Sequence, residues 1–364
     1  MTNTASPLDR IPVWSRAGVL AGVLTLATVL ILIAFAWPTS RSEPRNLPVV
    51  VAPAAATQQI AKQLEAVGAN ELFDLAGVSD EAAARSAIAN RDAFGAILIG
   101  PAGPRVLKAG AASPAAAQIL DQLAATLATG KPPAIAQEVS SPAAGDPRGS
   151  AFATAVLPLT LSALIIGAAF GMMIRPRVPR LVGVLTTSII VGICFTVVLD
   201  SWLGILAGAF VAEALTIALV LAAVASTVSG LVGLVGASGV GACAGVFVLL
   251  GVPLAGLTAP WQALPDFWGE FGRFLPAGAG GDLLRRLSFF PTAPVGFPLL
   301  VLVGWLALGV CLGLSVWRGS HPNGRSETGS TGSSIDSSST EPTPINAGSS
   351  SAASSGRNGS TVAR

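Results

Sequence analysis

Charged residues are scarce in this chain. Asp, Glu, Lys and Arg together make up 11% of the 364 residues, whereas a soluble domain carries about 25%. The scarcity is greatest from Gly149 to Pro265, where the acids and bases are Arg175, Arg177, Arg180, Asp200 and Glu213. A stretch this long with so little charge indicates several membrane-spanning helices and argues against a soluble globular enzyme.

Histidine and cysteine are also rare. The single histidine, His321, lies in a polar C-terminal stretch, and the three cysteines fall in apolar stretches. These residues predict neither a disulfide framework nor a metal site. A formal net charge of +2 gives no basic field for nucleic acid, so no nucleic-acid partner is expected. Without paired carboxylates or a Ser-His-Asp set, we predict no catalytic residue, no metal and no cofactor in this chain.

The first apolar segment runs from Ala17 to Ala36 without a charge, which is long enough to cross a bilayer. Ala34-Phe35-Ala36 resembles a signal-peptidase site. The apolar region of a cleaved signal peptide is usually only about 7–15 residues long. We therefore favour an uncleaved membrane anchor over a cleaved signal peptide.

The fold class predicted for the whole chain is an α-helical polytopic membrane protein with six transmembrane helices. A small α/β domain lies between the first and second spans, because residues 38–150 alternate strand patterns with helical patterns and hold nine basic and ten acidic residues. The predicted divisions are 1–16, the N-terminus; 17–37, the first span; 38–150, the α/β domain; 151–256, spans two to five; 257–296, an amphipathic or re-entrant segment; 297–317, the sixth span; and 318–364, a disordered Ser-rich tail.

Within these divisions the patterns place individual elements. Strands are predicted at Leu47–Val51, Glu71–Leu75, Phe94–Ile99 and 105–108. Helices are predicted over 54–68, after a cap at Ser79, and from Ser113-Pro114. The third span is expected at about 181–199 and the fourth at about 203–225, and a Gly-rich stretch, 230–241, leads into the fifth. Arginine placement puts both termini in the cytoplasm and the α/β domain outside.

Three stretches of the sequence resemble one family. The first is Leu47-Pro-Val-Val-Val-Ala52. The second runs from Asp80-Glu-Ala-Ala-Ala-Arg85 to Phe94-Gly-Ala-Ile-Leu-Ile99, with Gly100-Pro101 after it. The third contains Pro253-Leu-Ala-Gly256, Leu264-Pro-Asp-Phe-Trp268, Leu275-Pro-Ala-Gly-Ala279, Leu284-Arg285 and Phe289-Phe290. In this order the chain resembles the membrane subunits of type-2 ABC exporters, in the phage-infection-protein (YhgE-like) branch, actinobacterial type.

The resemblance covers about residues 15–318 and implies a permease subunit in the bacterial plasma membrane. It implies a homodimer or heterodimer of permease subunits among membrane lipids, and a separate P-loop ATPase subunit that binds ATP and Mg²⁺. The nearest string here, Gly236-Ala-Ser-Gly-Val-Gly241, lacks the lysine of a phosphate-binding loop. The family's first strand continues into an acidic turn, whereas this chain has Pro53-Ala-Ala-Ala, so no role is carried over to that turn.

Two carboxylates are candidates for the translocation path. Glu213 is predicted about midway along the fourth span, where a carboxylate is costly and a functional role is the default expectation. It would line the path, bind a cationic or hydroxyl-bearing substrate, or carry a proton. The alternative is a neutral glutamate hydrogen-bonded to a neighbouring helix. Asp200, near the end of the third span, either lines the path or is a solvated helix cap.

Two further groups of residues complete the candidate site. Pro276, Gly278 and Arg285 belong to a predicted external gate in which the stretch Gly278 to Gly281 divides two half-helices; the alternative is an interfacial anchor. Arg175, Arg177 and Arg180 are candidates for the ATPase contact. Their alternative role is positive-inside anchoring.

Two functions are consistent with these patterns. The first is an exporter permease for an amphipathic or lipid-linked substrate, powered by a separate ATPase subunit. The second is a non-transporting scaffold or receptor whose external α/β domain binds an envelope partner or phage. Neither makes the chain an enzyme in its own right.

Overall fold

The computed structural model describes residues 13–41, 45–101, 103–127, 136–257, 260–264 and 268–315. The predicted disordered tail lies outside these ranges. The helices are α1 Val13–Arg41, α2 Thr57–Ala66, α3 Glu81–Ala89, α4 Pro114–Leu127, α5 Ser150–Thr154, α6 Val156–Met173, α7 Arg177–Thr196, α8 Phe210–Val235, α9 Ser238–Ala244, α10 Trp268–Arg273, α11 Pro276–Phe289 and α12 Gly296–Leu314. The strands are β1 Leu47–Ala52, β2 Phe73–Gly77, β3 Gly95–Gly100, β4 Gly103–Lys108 and β5 Gln137–Glu138.

The five strands form one mixed sheet in the order β2-β1-β3-β4-β5. Strand β1 pairs in parallel with β2 and β3, β3 pairs antiparallel with β4, and β4 pairs in parallel with β5. The four predicted strands are confirmed within two residues, and the short β5 was not predicted. Asp80 rather than Ser79 caps α3, because its Oδ1 accepts a 2.8 Å hydrogen bond from the backbone N–H of Ala83.

Four segments are long and apolar enough to cross a membrane: Ser150–Met173, Arg177–Trp202, Phe210–Val235 and Gly296–Leu314. Helix α8 is the central helix, buried along most of its length, and it contacts α6, α7 and α12. The surrounding helices expose large apolar side chains, including Ile165 at 67% and Leu300 at 71%. Apolar surface of this kind fits contact with lipid tails rather than with water.

Two of the six predicted spans, the first and the fifth, are not among these four segments. Helix α1 contains the predicted first span within its 29 residues. In place of a full-length fifth span, the structure has a shorter apolar helix, Ser238–Leu250, in which α9 continues as a π-helix, Gly245–Leu250. A straight helical span needs about 20 residues, so this segment falls short of one by length.

Helix α8 begins later than predicted. Gly204 adopts a left-handed φ of +62° and ends the π-helix Val197–Trp202, in the way a glycine commonly ends a helix. The chain then continues without helical structure to Ala209. Glu213 is therefore in the first turn of α8, not midway along a span, and α8 continues through Gly230 to Val235.

Helix α11 is continuous through its glycines, so the two half-helices predicted over 276–286 are wrong. Pro276 opens the helix, and the four residues 278–281 lie within it, buried. The glycines allow close approach: a Cβ on Gly278 would collide with the carbonyl oxygen of Gly272, and one on Gly280 with the side chain of Val220. Packing against α8 and α10 compensates for the poor helix propensity of glycine.

Candidate functional site

Glu213 is the most deeply buried carboxylate of the described residues, with 0% exposure. Its Oε1 accepts a 2.6 Å hydrogen bond from the hydroxyl of Ser288 on α11 and a 2.8 Å hydrogen bond from the backbone N–H of Gly208. Its Oε2 is buried and has no hydrogen-bond partner among the described residues. The side chain thus links the first turn of α8 to the last turn of α11.

Gly208 lets the backbone approach this carboxylate. A Cβ at this position would lie 2.8 Å from Oε1 of Glu213 and 2.6 Å from the carbonyl oxygen of Leu287. Any side chain would therefore separate the Gly208 N–H from its acceptor. The loop before α8 is shaped around the Glu213–Ser288 contact.

An apolar cavity lies among α6, α7, α8 and α11. Its lining includes Phe195 and Leu199 on the α7 side, Ile217 and Val220 on α8, and Gly280, Gly281 and Leu284 on α11. Its volume, about 30 Å³, holds no acyl chain. Glu213 is one helical turn before Ile217, and Ser288 is one turn after Leu284, so the polar contact lies at one end of this cavity.

A second, polar cavity contrasts with the first because arginines line it. Its volume is about 70 Å³, and its charged lining residues are Arg91, Arg273, Asp282, Arg285 and Arg286. We call it the arginine cavity. Arg91 follows α3 in the α/β domain, Arg273 ends α10, and the other three belong to α11. The cavity lies where the sheet domain meets the helical bundle.

Asp282 is the acidic partner within the arginine cavity. It forms ion pairs with Arg91 and, at 2.9 Å, with Arg286. Burial alone would raise the pKa of Asp282, but the two guanidinium groups outweigh burial and hold this pKa below its usual value. Arg286 also donates a 2.7 Å hydrogen bond to the carbonyl oxygen of Pro294.

The other two arginines of the cavity contact aromatic rings. The guanidinium of Arg273 lies 4.7 Å from the ring centroid of Trp261 and 4.9 Å from that of Phe297. Arg285 lies 4.9 Å from the ring of Phe152 and donates a 3.0 Å hydrogen bond to the carbonyl oxygen of Leu257. Burial, together with neighbouring Arg91, lowers the pKa of Arg285 to about 9, so this side chain is a cation at neutral pH.

The segment after α11 fixes the sheet domain to the bundle. Phe290, 2% exposed, and Ala293 belong to the hydrophobic core of the α/β domain. The hydroxyl of Ser140 donates a 3.3 Å hydrogen bond to the carbonyl oxygen of Phe289, and that of Thr292 donates one of 3.3 Å to the carbonyl oxygen of Ala89. With the Arg91–Asp282 ion pair, these contacts join the two parts of the chain.

The three arginines proposed to contact an ATPase have different surroundings. Arg175 and Arg177 are exposed. Arg180 is buried, and its Nη2 donates a 2.9 Å hydrogen bond to the carbonyl oxygen of Gly313 at the end of α12. Its guanidinium also lies against Gly233 near the end of α8. Arg180 thus joins three helix ends and is not available for a docking partner.

The remaining predicted site residues are not brought together into one site. Asp200 is half-buried on the π-helix that follows α7. Pro276 is buried at the start of α11, while Gly278 and Arg285 line the arginine cavity. Sequence reasoning did not select Arg91, Arg273, Asp282 or Arg286 as site residues, although three of them belong to the charged segment 257–296.

Histidine, cysteine and carboxylate side chains form no metal-binding group within the described ranges. The chain matches no protein-family model, no curated protein and no solved structure.

Proposed function

We propose that this chain is the permease subunit of an exporter powered by a separate P-loop ATPase subunit. The substrate would be amphipathic or lipid-linked. The observation that carries the proposal is the buried Glu213, placed at one end of an apolar cavity inside a bundle of membrane-length helices. A carboxylate held in apolar surroundings is costly and is a functional-site candidate by default.

The cavity suggests how the bundle would work. At about 30 Å³ it has no room for a substrate, so α11 and α8 would have to separate for passage. Gly280 on α11 faces Val220 on α8, and small residues at such an interface let the helices pack closely, so this is the contact that opening would have to separate. Separation would also break the Ser288–Glu213 hydrogen bond and free the carboxylate to meet a substrate hydroxyl or cation.

The other end of the bundle offers the surface for an ATPase subunit. Arg175 and Arg177 lie exposed in the short turn between α6 and α7. Arg180 anchors α7 to α8 and α12 beside this turn. A movement of the turn caused by the ATPase would therefore be transmitted to the central helix α8. In the proposed topology α1 and the helix Ser238–Leu250 complete six spans, and the turn faces the cytoplasm.

Copurification from the native membrane tests the proposal. The full chain, extracted in mild detergent, should bring down a stoichiometric P-loop ATPase whose turnover requires this subunit. Recovery of envelope proteins alone, without nucleotide hydrolysis, would contradict the permease assignment and favour the scaffold or receptor.

A further inference from the structure

We propose that the arginine cavity binds a phosphate group. The lining residues described by the structure include four arginines and one carboxylate, so the cavity has a formal charge of +3 (four positive charges minus one negative). Glutamine, tryptophan and apolar residues complete the lining. An excess of like charge in a protein interior is costly unless an anion compensates it.

The geometry of the arginines leaves room for a ligand. Each guanidinium carries several N–H donors in a planar fork. Among the described residues, the four side chains make hydrogen bonds to Asp282 and to the carbonyl oxygens of Leu257 and Pro294. Arg273 contacts two aromatic rings and forms no ion pair with a described acid. Most of the donors around the cavity are therefore available.

The cavity also has a suitable size. About 70 Å³ accommodates roughly five water-sized groups, which is the number of heavy atoms in a phosphate. Arginine forks recognise phosphate oxygens through paired N–H donors better than a lysine point charge does. The aromatic rings beside Arg273 hold its guanidinium in place at little entropic cost.

Two sources could supply this phosphate. The cavity lies at the junction of the helical bundle with the sheet domain, at the depth of a lipid headgroup if the four apolar helices cross a bilayer. A soluble phosphate compound presents the same chemistry. Binding is measured on the purified chain without an ATPase, so this site does not depend on the chain being a permease.

Ligand binding to the full chain in detergent tests the site. One arm measures inorganic phosphate by calorimetry, and the other measures retention of phosphatidylglycerol by native mass spectrometry. We expect Arg273→Gln to weaken binding at least about tenfold, as the loss of a charged hydrogen bond predicts. Arg105→Gln is the matched control, because Arg105 is an exposed arginine in an ion pair with Glu81 and does not line the cavity.

The outcomes separate cleanly. Phosphate binding that depends on Arg273, without lipid retention, identifies a soluble phosphate compound. Lipid retention that depends on Arg273, with or without phosphate binding, identifies a headgroup. Arg285→Gln provides a second test: if the variant elutes as a monodisperse protein, it should show the same loss of binding, because Arg285 also lines the cavity. Absence of binding in both arms, or binding that Arg273→Gln changes no more than Arg105→Gln does, would overturn the proposal.

Discussion

The hydroxyl of Ser288 donates a 2.6 Å hydrogen bond to Oε1 of Glu213 across 75 residues of sequence. The same oxygen accepts the backbone N–H of Gly208, so one acceptor joins the end of α11, the start of α8 and the loop before it. Glu213 therefore has a structural role that is separate from the role in transport proposed above. The two roles respond differently to substitution.

Glu213→Ala should lower the free energy of unfolding by about 1–3 kcal/mol, because two buried donors lose their acceptor. Glu213→Gln keeps an acceptor oxygen of the same shape and should stay within about 1 kcal/mol of the wild type. Thermal unfolding of the detergent-solubilised chain measures both. In an export assay the stable Gln variant should be inactive; normal export by it would remove the charge of Glu213 from the translocation path.

Among the three arginines between α6 and the first turn of α7, two should affect ATPase docking and one should affect stability. Replacing Arg175 and Arg177 together with glutamate should abolish copurification of an ATPase without lowering the melting temperature, because both side chains are exposed. Arg180→Gln should lower the melting temperature, because Arg180 bonds the carbonyl oxygen of Gly313. Equal ATPase recovery with the double variant and with Arg105→Glu would argue against a contact at this turn.

Two glycines in the apolar helices should respond differently to substitution by alanine. A Cβ on Gly167 would lie 2.6 Å from the carbonyl oxygen of Ala225 on α8, and overpacking of this kind costs about 1–3 kcal/mol. Gly241 has open space at its Cβ position. We expect Gly167→Ala to destabilise the chain and Gly241→Ala to leave its melting temperature unchanged or slightly raised. Equal melting temperatures would contradict the α6–α8 packing.

Acid should weaken the chain through Asp282. Its pKa is lower in the folded state than its ordinary value of 3.8, so it contributes stability above that value. This contribution is lost as the pH falls through the folded-state pKa. Asp282→Asn should therefore show a smaller fall in melting temperature from neutral to acid buffer than the wild type. Asp74→Asn, an exposed carboxylate on β2, should keep the full acid-dependent fall, and identical curves for all three would exclude this linkage.

The proposed orientation is testable by cysteine labelling in a chain whose exposed Cys194 and Cys311 are replaced by serine. The external reporter position is Gln122, which is exposed on α4. Gln122→Cys should react with an impermeant reagent in intact cells. Ser238→Cys, exposed at the start of α9, should react only after permeabilisation. The reverse pattern would invert the topology.

Local patterns predicted most of the elements. The alternation of apolar runs and helical faces placed four strands within two residues, because strands buried between helices read as short continuous apolar runs. Long uncharged runs likewise indicated α6, α7 and α12. The predicted start of α8 is wrong because Gly204, a residue type that commonly ends a helix, adopts a left-handed conformation inside a run whose apolar composition favours a continuous span.

The arginine cavity could not be predicted in this way. Arg91 pairs with Asp282 across 191 residues, and a contact at that distance depends on how the sheet domain packs on α11. The continuity of α11 depends on α8 and α10 accepting its glycines, as Gly280 does against Val220. Arg180 shows the same limit: it has the same charge as Arg177 and lies three residues after it, yet Arg177 is exposed and Arg180 is buried.

The place of Phe290 in the sheet domain's core has a consequence for synthesis of the protein. The sheet ends at Glu138, and Phe290 leaves the ribosome about 150 residues later, on the order of 10 s at ordinary rates of translation. Until then the cleft that Phe290 fills is an open apolar surface, exposed while the following membrane-length helices are being synthesised. The domain made early in translation is therefore completed late, and quality control acting on it would also report whether α11 had packed correctly against the other helices.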